Sequence, residues 1–194
     1  MNTKKITIRL LIGIILLTNN SIYAQNIWTE GVNNTKSGQF VCKMYSSTNT
    51  ITVKKSVTDE RVNYKLKMEK GESVKVFINS EKEFSAILKS VFDNKRIKEL
   101  ISSDEKLELL FALDSDGNPI QITFRLISST AITPYELNEI DEQIKSKIKF
   151  KIKRDFPRKD DHINMFFHRI KFDELLNGEI KSLKENEEEG KRYW

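Results

Sequence analysis

"LELLFALDSDGNPIQITFRL", residues 107–126, decides how this chain folds. Leu107, Leu109, Phe111 and Leu113 alternate before its centre, and Ile120, Ile122, Phe124 and Leu126 alternate after it, with Gln121, Thr123 and Arg125 between. A two-residue period is that of a strand with one buried face. The centre, Asp114-Ser115-Asp116-Gly117, opens like a calcium loop. Such a loop between two helices needs oxygen ligands at positions 1, 3 and 5, a glycine at 6 and a bidentate glutamate at 12. Here the glycine comes fourth, Arg125 stands at the twelfth place, and the flanks are strand-like. Asp116-Gly117 therefore reads as a structural turn, with Gly117 supplying the positive φ a tight connection demands.

Downstream, Thr133, Pro134 and Glu136 carry the start signals of a helix. A threonine cap, a proline at the first helical position and a glutamate three residues after the cap make a capping box, and Ile132 can staple onto Leu137. Leu137, Ile140, Ile144 and Ile148 then line one face, which predicts about four turns lying across the sheet. The end of the helix is left open, because Lys147 to Lys153 also alternates strictly and fits an extended segment. From His162 to Phe172 the β-branched and aromatic content predicts a strand, with Phe166, His168, Ile170 and Phe172 on one face and Met165 and Phe167 on the other, covered on both sides.

Upstream, Ser80 and Glu83 form a second capping box ahead of Phe84, Ile87, Leu88, Val91 and Phe92, an apolar stripe at helical spacing. Asp93-Asn94 interrupts it, and Ile97, Leu100 and Ile101 suggest a further short helix. Before these, Phe40 to Met44, Ile51 to Val53, Val62 to Met68 and Val74 to Ile78 alternate like the strands of an antiparallel meander, the last two as a hairpin. The predicted class is α+β. Its parts are a meander over 40–79, a helical connector over 80–104, a β-β-α-β unit over 105–172 and a charged tail over 173–194. Residues 25–39 are polar and aperiodic and read as a flexible lead-in.

The first 24 residues read as a secretory signal peptide: Lys4, Lys5 and Arg9, an apolar run from Leu10 to Leu17, and a cleavage position between Ala24 and Gln25. The apolar run is far shorter than the roughly 20 residues that span a bilayer, so no stable membrane insertion is expected after cleavage. The expected compartment is periplasmic or extracellular. Export removes three of the 33 basic residues and none of the 28 acidic ones, taking the formal charge from +5 to +2. Near-neutral charge and export both argue against a nucleic-acid partner. What charge remains is clustered: Lys145, Lys147, Lys149, Lys151, Lys153 and Arg154 form a candidate patch for anions or a partner, against a solvated face as the plainer reading. Glu185 and Glu187 to Glu189 make an acidic tail that ends in Tyr193-Trp194.

Catalytic patterns are few. Cys42 is the single cysteine, so no internal disulfide is possible. Its neighbours Phe40 and Met44 favour a buried, inert thiol over a nucleophile served by His168. His162 and His168, six residues apart on one strand, would stand about 20 Å apart, too far to share a metal. Asp59-Glu60 and Asp160-Asp161 are adjacent acids that point apart. No cofactor, metal or catalytic residue is assigned.

Residues 105–172 resemble the carboxy-terminal domain of TonB-type proteins. The resemblance rests on Asp116-Gly117 at the turn, Ile127-Ser128-Ser129 at the strand exit, the Leu137 to Ile148 helix face, Phe150 near the helix end and the Ile163 to Phe172 strand. It covers about two fifths of the chain after the leader, and its motifs are of low specificity. The chain departs from the pattern in lacking a retained anchor and a proline-rich spacer, having only Pro119, Pro134 and Pro157. The resemblance implies a stand-alone envelope or secreted module that binds another protein, expected to be an envelope protein, by offering a sheet edge; with no catalytic pattern among the residues, the expected role is non-enzymatic. The competing expectations are a small envelope hydrolase and a binder of anionic surface polymers.

Overall fold

The computed structural model describes residues 27–56, 61, 74–155 and 164–178. The cleavage site at Ala24 and Gln25, the Val62 to Met68 strand and its hairpin, His162, the acidic tail and Tyr193-Trp194 lie outside these residues.

Among the described residues, eight strands and four α-helices follow one another as β1 (Gly31–Thr35), β2 (Gly38–Tyr45), β3 (Thr50–Lys55), β4 (Val74–Ile78), α1 (Glu81–Val91), α2 (Asn94–Ser102), β5 (Leu107–Leu113), β6 (Pro119–Ile127), α3 (Pro134–Lys147), β7 (Phe150–Arg154), β8 (Asn164–Ile170) and α4 (Phe172–Asn177). Six strands form one antiparallel sheet in the order β1-β2-β3-β6-β5-β8, while β4 and β7 pair antiparallel in a small second sheet. The fold is α+β. The alternating apolar residues of the large sheet point to one face: Phe40 and Cys42, Ile51 and Val53, Phe124 and Leu126, Leu109 and Phe111, Phe166 and Ile170. Phe84 and Leu88 of α1 and Leu137, Ile140 and Ile144 of α3 bury against that face in a single core. Each large side chain so covered contributes roughly 1.5–3 kcal/mol.

The β5–β6 connection is a turn. The Asp114 amide donates to the Asn118 carbonyl at 3.0 Å and the Gly117 amide to the Asp114 carbonyl at 3.1 Å. Asp114 Oδ1 accepts from the amides of Asp116 and Asn118, each at 2.9 Å, and Oδ2 accepts from the Asn118 side-chain amide. Gly117 takes φ +85°. The register shifts between Ala112 and Leu113, so that Leu113 faces Pro119 and Ala112 faces Gln121. This irregularity skips Ile120, which is half-buried where alternation placed it in the core.

Helix starts follow their signals. Ser80 Oγ accepts from the Glu83 amide, Asp93 Oδ1 from the Arg96 amide, and Thr133 with Glu136 forms the complete reciprocal box. The α3 helix ends at Lys147 and the chain re-enters extended structure three residues later, at Phe150, so the ambiguous Lys147 to Lys153 stretch divides between helix and strand.

Four expectations require correction. The lead-in over 25–39 contains β1, which forms a hairpin with β2, and Trp28 lies in the core with its Nε1 donating to the Ile132 carbonyl at 3.2 Å and its ring edge-on to Phe40. Among the described residues β4 does not join the sheet of β2 and β3 but pairs with β7, some 75 residues on, while the strand expected to form a hairpin with it lies outside them. The closing strand ends at Ile170, and Phe172 instead opens α4, whose Leu175 is buried, so the first residues of the supposed charged tail belong to the core. Among the described residues the outer side of β8 is only partly covered, with Met165 exposed and Phe167 half-buried.

Candidate functional site

The face of the large sheet turned away from the helices changes character toward β8. Leu110 of β5 stands opposite Phe167 of β8 on one side and Thr123 of β6 on the other, and Ala112 stands opposite Met165. Leu110 is 37% exposed and Met165 44%, with Phe167 half-buried between them. Large apolar side chains in a group on a wet sheet face call for an explanation that a scattered few do not. Strand β8 is also terminal in the sheet: among the described residues it pairs with a strand on one side only, β5.

A charged row borders these apolar groups. Glu108 of β5 lies between Arg125 of β6 and Arg169 of β8 in direct cross-strand register. Its carboxylate accepts from Arg169 Nε at 2.8 Å and from Nη2 at 2.5 Å, and from Arg125 Nη1 at 3.4 Å. Both guanidinium groups are largely exposed while Glu108 is nearly buried. The row closes one end of the apolar strip and leaves the two arginines facing outward.

The sequence-derived basic patch is divided by the fold. Lys145 pairs with Asp141 one turn earlier at 2.9 Å, and Lys147 donates to the Gln143 side chain. Arg154 reaches inward and donates to the Ser115 carbonyl at 2.9 Å, tying β7 to the β5–β6 turn. Lys151 and Lys153 are exposed on the outer side of the small sheet, where Lys75 of β4 joins them, and Lys149 is exposed just before it.

Cys42 and His168 are not brought together. Each is 1% exposed, and β2 and β8 are four strand spacings apart, which is about 19 Å. Burial, with Glu30 nearby, raises the Cys42 thiol above its ordinary pKa, and a protonated thiol is a poor nucleophile. His168 is pushed down to about 4 by burial, opposed by Glu174. Its ring stacks on Phe166 and meets Phe84 edge-on, and among the described residues Nε2 has no hydrogen-bond partner. Among the described residues no group of three or more His, Cys, Asp or Glu side chains is placed to hold a metal ion, and no helix is long and apolar enough to cross a membrane.

The helix-cap residues do more than their spacing indicates. Glu136 Oε1 and Oε2 also accept from Arg96 Nε at 2.6 Å and Nη2 at 3.2 Å, and Arg96 Nη2 donates to the Ala131 carbonyl. Beside it, Glu105 accepts from Thr130 Oγ1 and the Ala131 amide. Apart from the Arg96–Glu99 pair three residues on, Arg96 and Glu105 carry no local sequence signal, since the partners that tie them across the fold lie 35–40 and 25–26 residues on.

No protein-family model and no curated protein matches the chain. Among solved structures, a DUF5043 family protein from Bacteroides uniformis ATCC 8492 is similar in fold, with a TM-score of 0.54 and 13% identity over 75% of this chain and 86% of that one. At that identity the likeness concerns the fold alone.

Proposed function

We propose that this protein is an exported, non-enzymatic interaction module that binds an extended segment of another envelope protein by adding it to the edge of the large sheet at β8. The observation that supports this reading is the coincidence, at one place, of a terminal strand seven residues long and an exposed apolar strip made by Leu110 and Met165. Main-chain groups on a sheet edge give a strand partner its affinity, and pockets for alternate side chains give it specificity. An added strand would set every second side chain on the outer face beside Met165 and Phe167, and the outward arginines of the Glu108 row favour an acidic residue at one end of it. The other terminal strand, β1, suits the role less well: it has five residues, and Asn33 is held by Thr29 and the Gly31 carbonyl. The resemblance of residues 105–172 to the TonB-type domain belongs to the same proposal, supported by the sequence of hairpin, capped helix and closing strand, with β7 as an inserted departure.

A photo-crosslinking amino acid at position 165, introduced in the exporting host, tests the proposal. The expected outcome is a discrete adduct whose fragments map to one extended segment of one envelope protein, lost when Leu110→Asp is added. Adducts spread over many proteins, or unchanged by that substitution, would refute edge binding at β8.

A further inference from the structure

The small sheet offers a second surface of a different chemistry. Alternation along β4 and β7 sends Val76, Ile78, Phe150 and Ile152 toward the core and leaves Lys75, Phe77, Lys151 and Lys153 outside. Lys75 stands directly opposite Lys153, and Phe77 opposite Lys151. Like charges in direct cross-strand register oppose pairing of the strands. Lys153 Nζ rests over the Phe77 ring, 5.4 Å from its centroid, and Lys149 is exposed just before β7. None of Lys75, Lys149, Lys151 and Lys153 pairs with a carboxylate among the described residues, whereas Lys55, Lys145 and Lys171 each do.

We infer that this ribbon is a docking surface for a linear acidic polysaccharide. On a strand, Lys151 and Lys153 repeat at about 7 Å, and Lys75 lies about 5 Å across from Lys153. A row of ammonium groups at such spacing meets several charges of one flexible polyanion at once. Lysine acts on an anion as a point charge, without the planar fork by which arginine fixes geometry, so the surface reads charge density along a chain rather than one shaped group. A single-stranded nucleic acid is held by open aromatic faces on which its bases stack, and the one ring among the described residues of the ribbon, Phe77, is already covered by Lys153. A folded protein partner would require buried aromatic or arginine anchors, and the ribbon's outer face has neither to spare. With a formal charge near +2 after the leader, the attraction must come from local placement rather than from the molecule's overall charge.

Titration of the mature chain with polygalacturonate, against neutral dextran, provides the test. Binding to the acidic polymer is expected to fall at least tenfold in Lys75→Gln/Lys151→Gln/Lys153→Gln, and to be kept in Lys36→Gln/Lys43→Gln/Lys98→Gln, which changes net charge equally elsewhere. The first triple should melt at the same or a higher temperature, because a like-charge pair is removed, so a loss of binding cannot be laid to unfolding. Equal losses in both triples, or equal affinity for neutral dextran, would overturn the assignment. Tighter and equally lysine-dependent binding to single-stranded DNA or to phosphatidylglycerol vesicles would overturn the class of partner.

Discussion

Gly117 shows how much one position can hold. It needs φ +85°, a conformation that costs little only for a residue without a Cβ, and a Cβ built there would lie 2.0 Å from the carbonyl oxygen of Phe150. The Phe150 amide donates to the Gly117 carbonyl at 2.8 Å, so the turn of one sheet and the first residue of a strand in the other are in backbone contact. Gly117→Val must distort the turn, this contact, or both. We expect a loss on the order of 3 kcal/mol, read as a lower urea midpoint at unchanged slope. A variant as stable as the wild type would contradict the close approach. Asp114 holds the other end of the same turn. Burial works against its charge, but the Asn118 side chain and amide, the Asp116 amide and Arg61 at 3.7 Å outweigh it and keep the carboxyl below its usual range.

Among the elements, α3 is the one whose start joins most of the structure. Glu136 closes the capping box from its own helix and receives two bonds from Arg96 of α2. Glu136→Ala removes the cap's reciprocal bond and leaves a partly buried guanidinium short of its anion, which together should cost about 2–4 kcal/mol in chemical denaturation. Glu142→Ala on the exposed side of the same helix should cost well under 1 kcal/mol, and equal effects of the two would remove the argument. The legibility of the elements follows the same division. The α3 start, the β5–β6 hairpin and the Phe84 stripe were readable because caps, turn glycine and apolar period all lie within a few residues. Strand β1 was not, because Asn33 and Asn34 fill it with polar side chains, its apolar Val32 is exposed, and it is held by main-chain pairing with β2. The β4–β7 pairing left no local trace at all: Val74 to Ile78 alternates like any strand, and its partner is chosen by the tertiary fold. For the same reason the basic residues group differently in space than in sequence: Lys75 joins Lys151 and Lys153 only through the strand pairing, and Arg154 turns inward to the Ser115 carbonyl. The apolar strip at Leu110, Met165 and Phe167 was hidden too, as a residue's period reports its face but not whether that face is covered.

For the molecule as a whole, the acid side of its stability should bear the mark of His168. The imidazole sits in the one core that both faces of the chain's pairing, sheet and helix, have in common, between Phe166 of its own strand and Phe84 of α1. Its pKa is about 4 in the fold, against 6.5 for the free side chain. Between those values the unfolded chain takes up a proton that the folded chain refuses, so stability must fall as pH drops through this window and is complete above it. From the unit value of about 1.4 kcal/mol, the loss attributable to this residue reaches about 2 kcal/mol by pH 5. Carboxylates titrating nearby add their own slope, and His168→Leu separates the two: urea midpoints of the variant should change less between pH 7 and pH 5 than those of the wild type. Parallel curves for the two proteins would mean that the folded domain accepts a charge at this position, and would require an opening of the sheet at β8, the strand proposed to receive a partner segment.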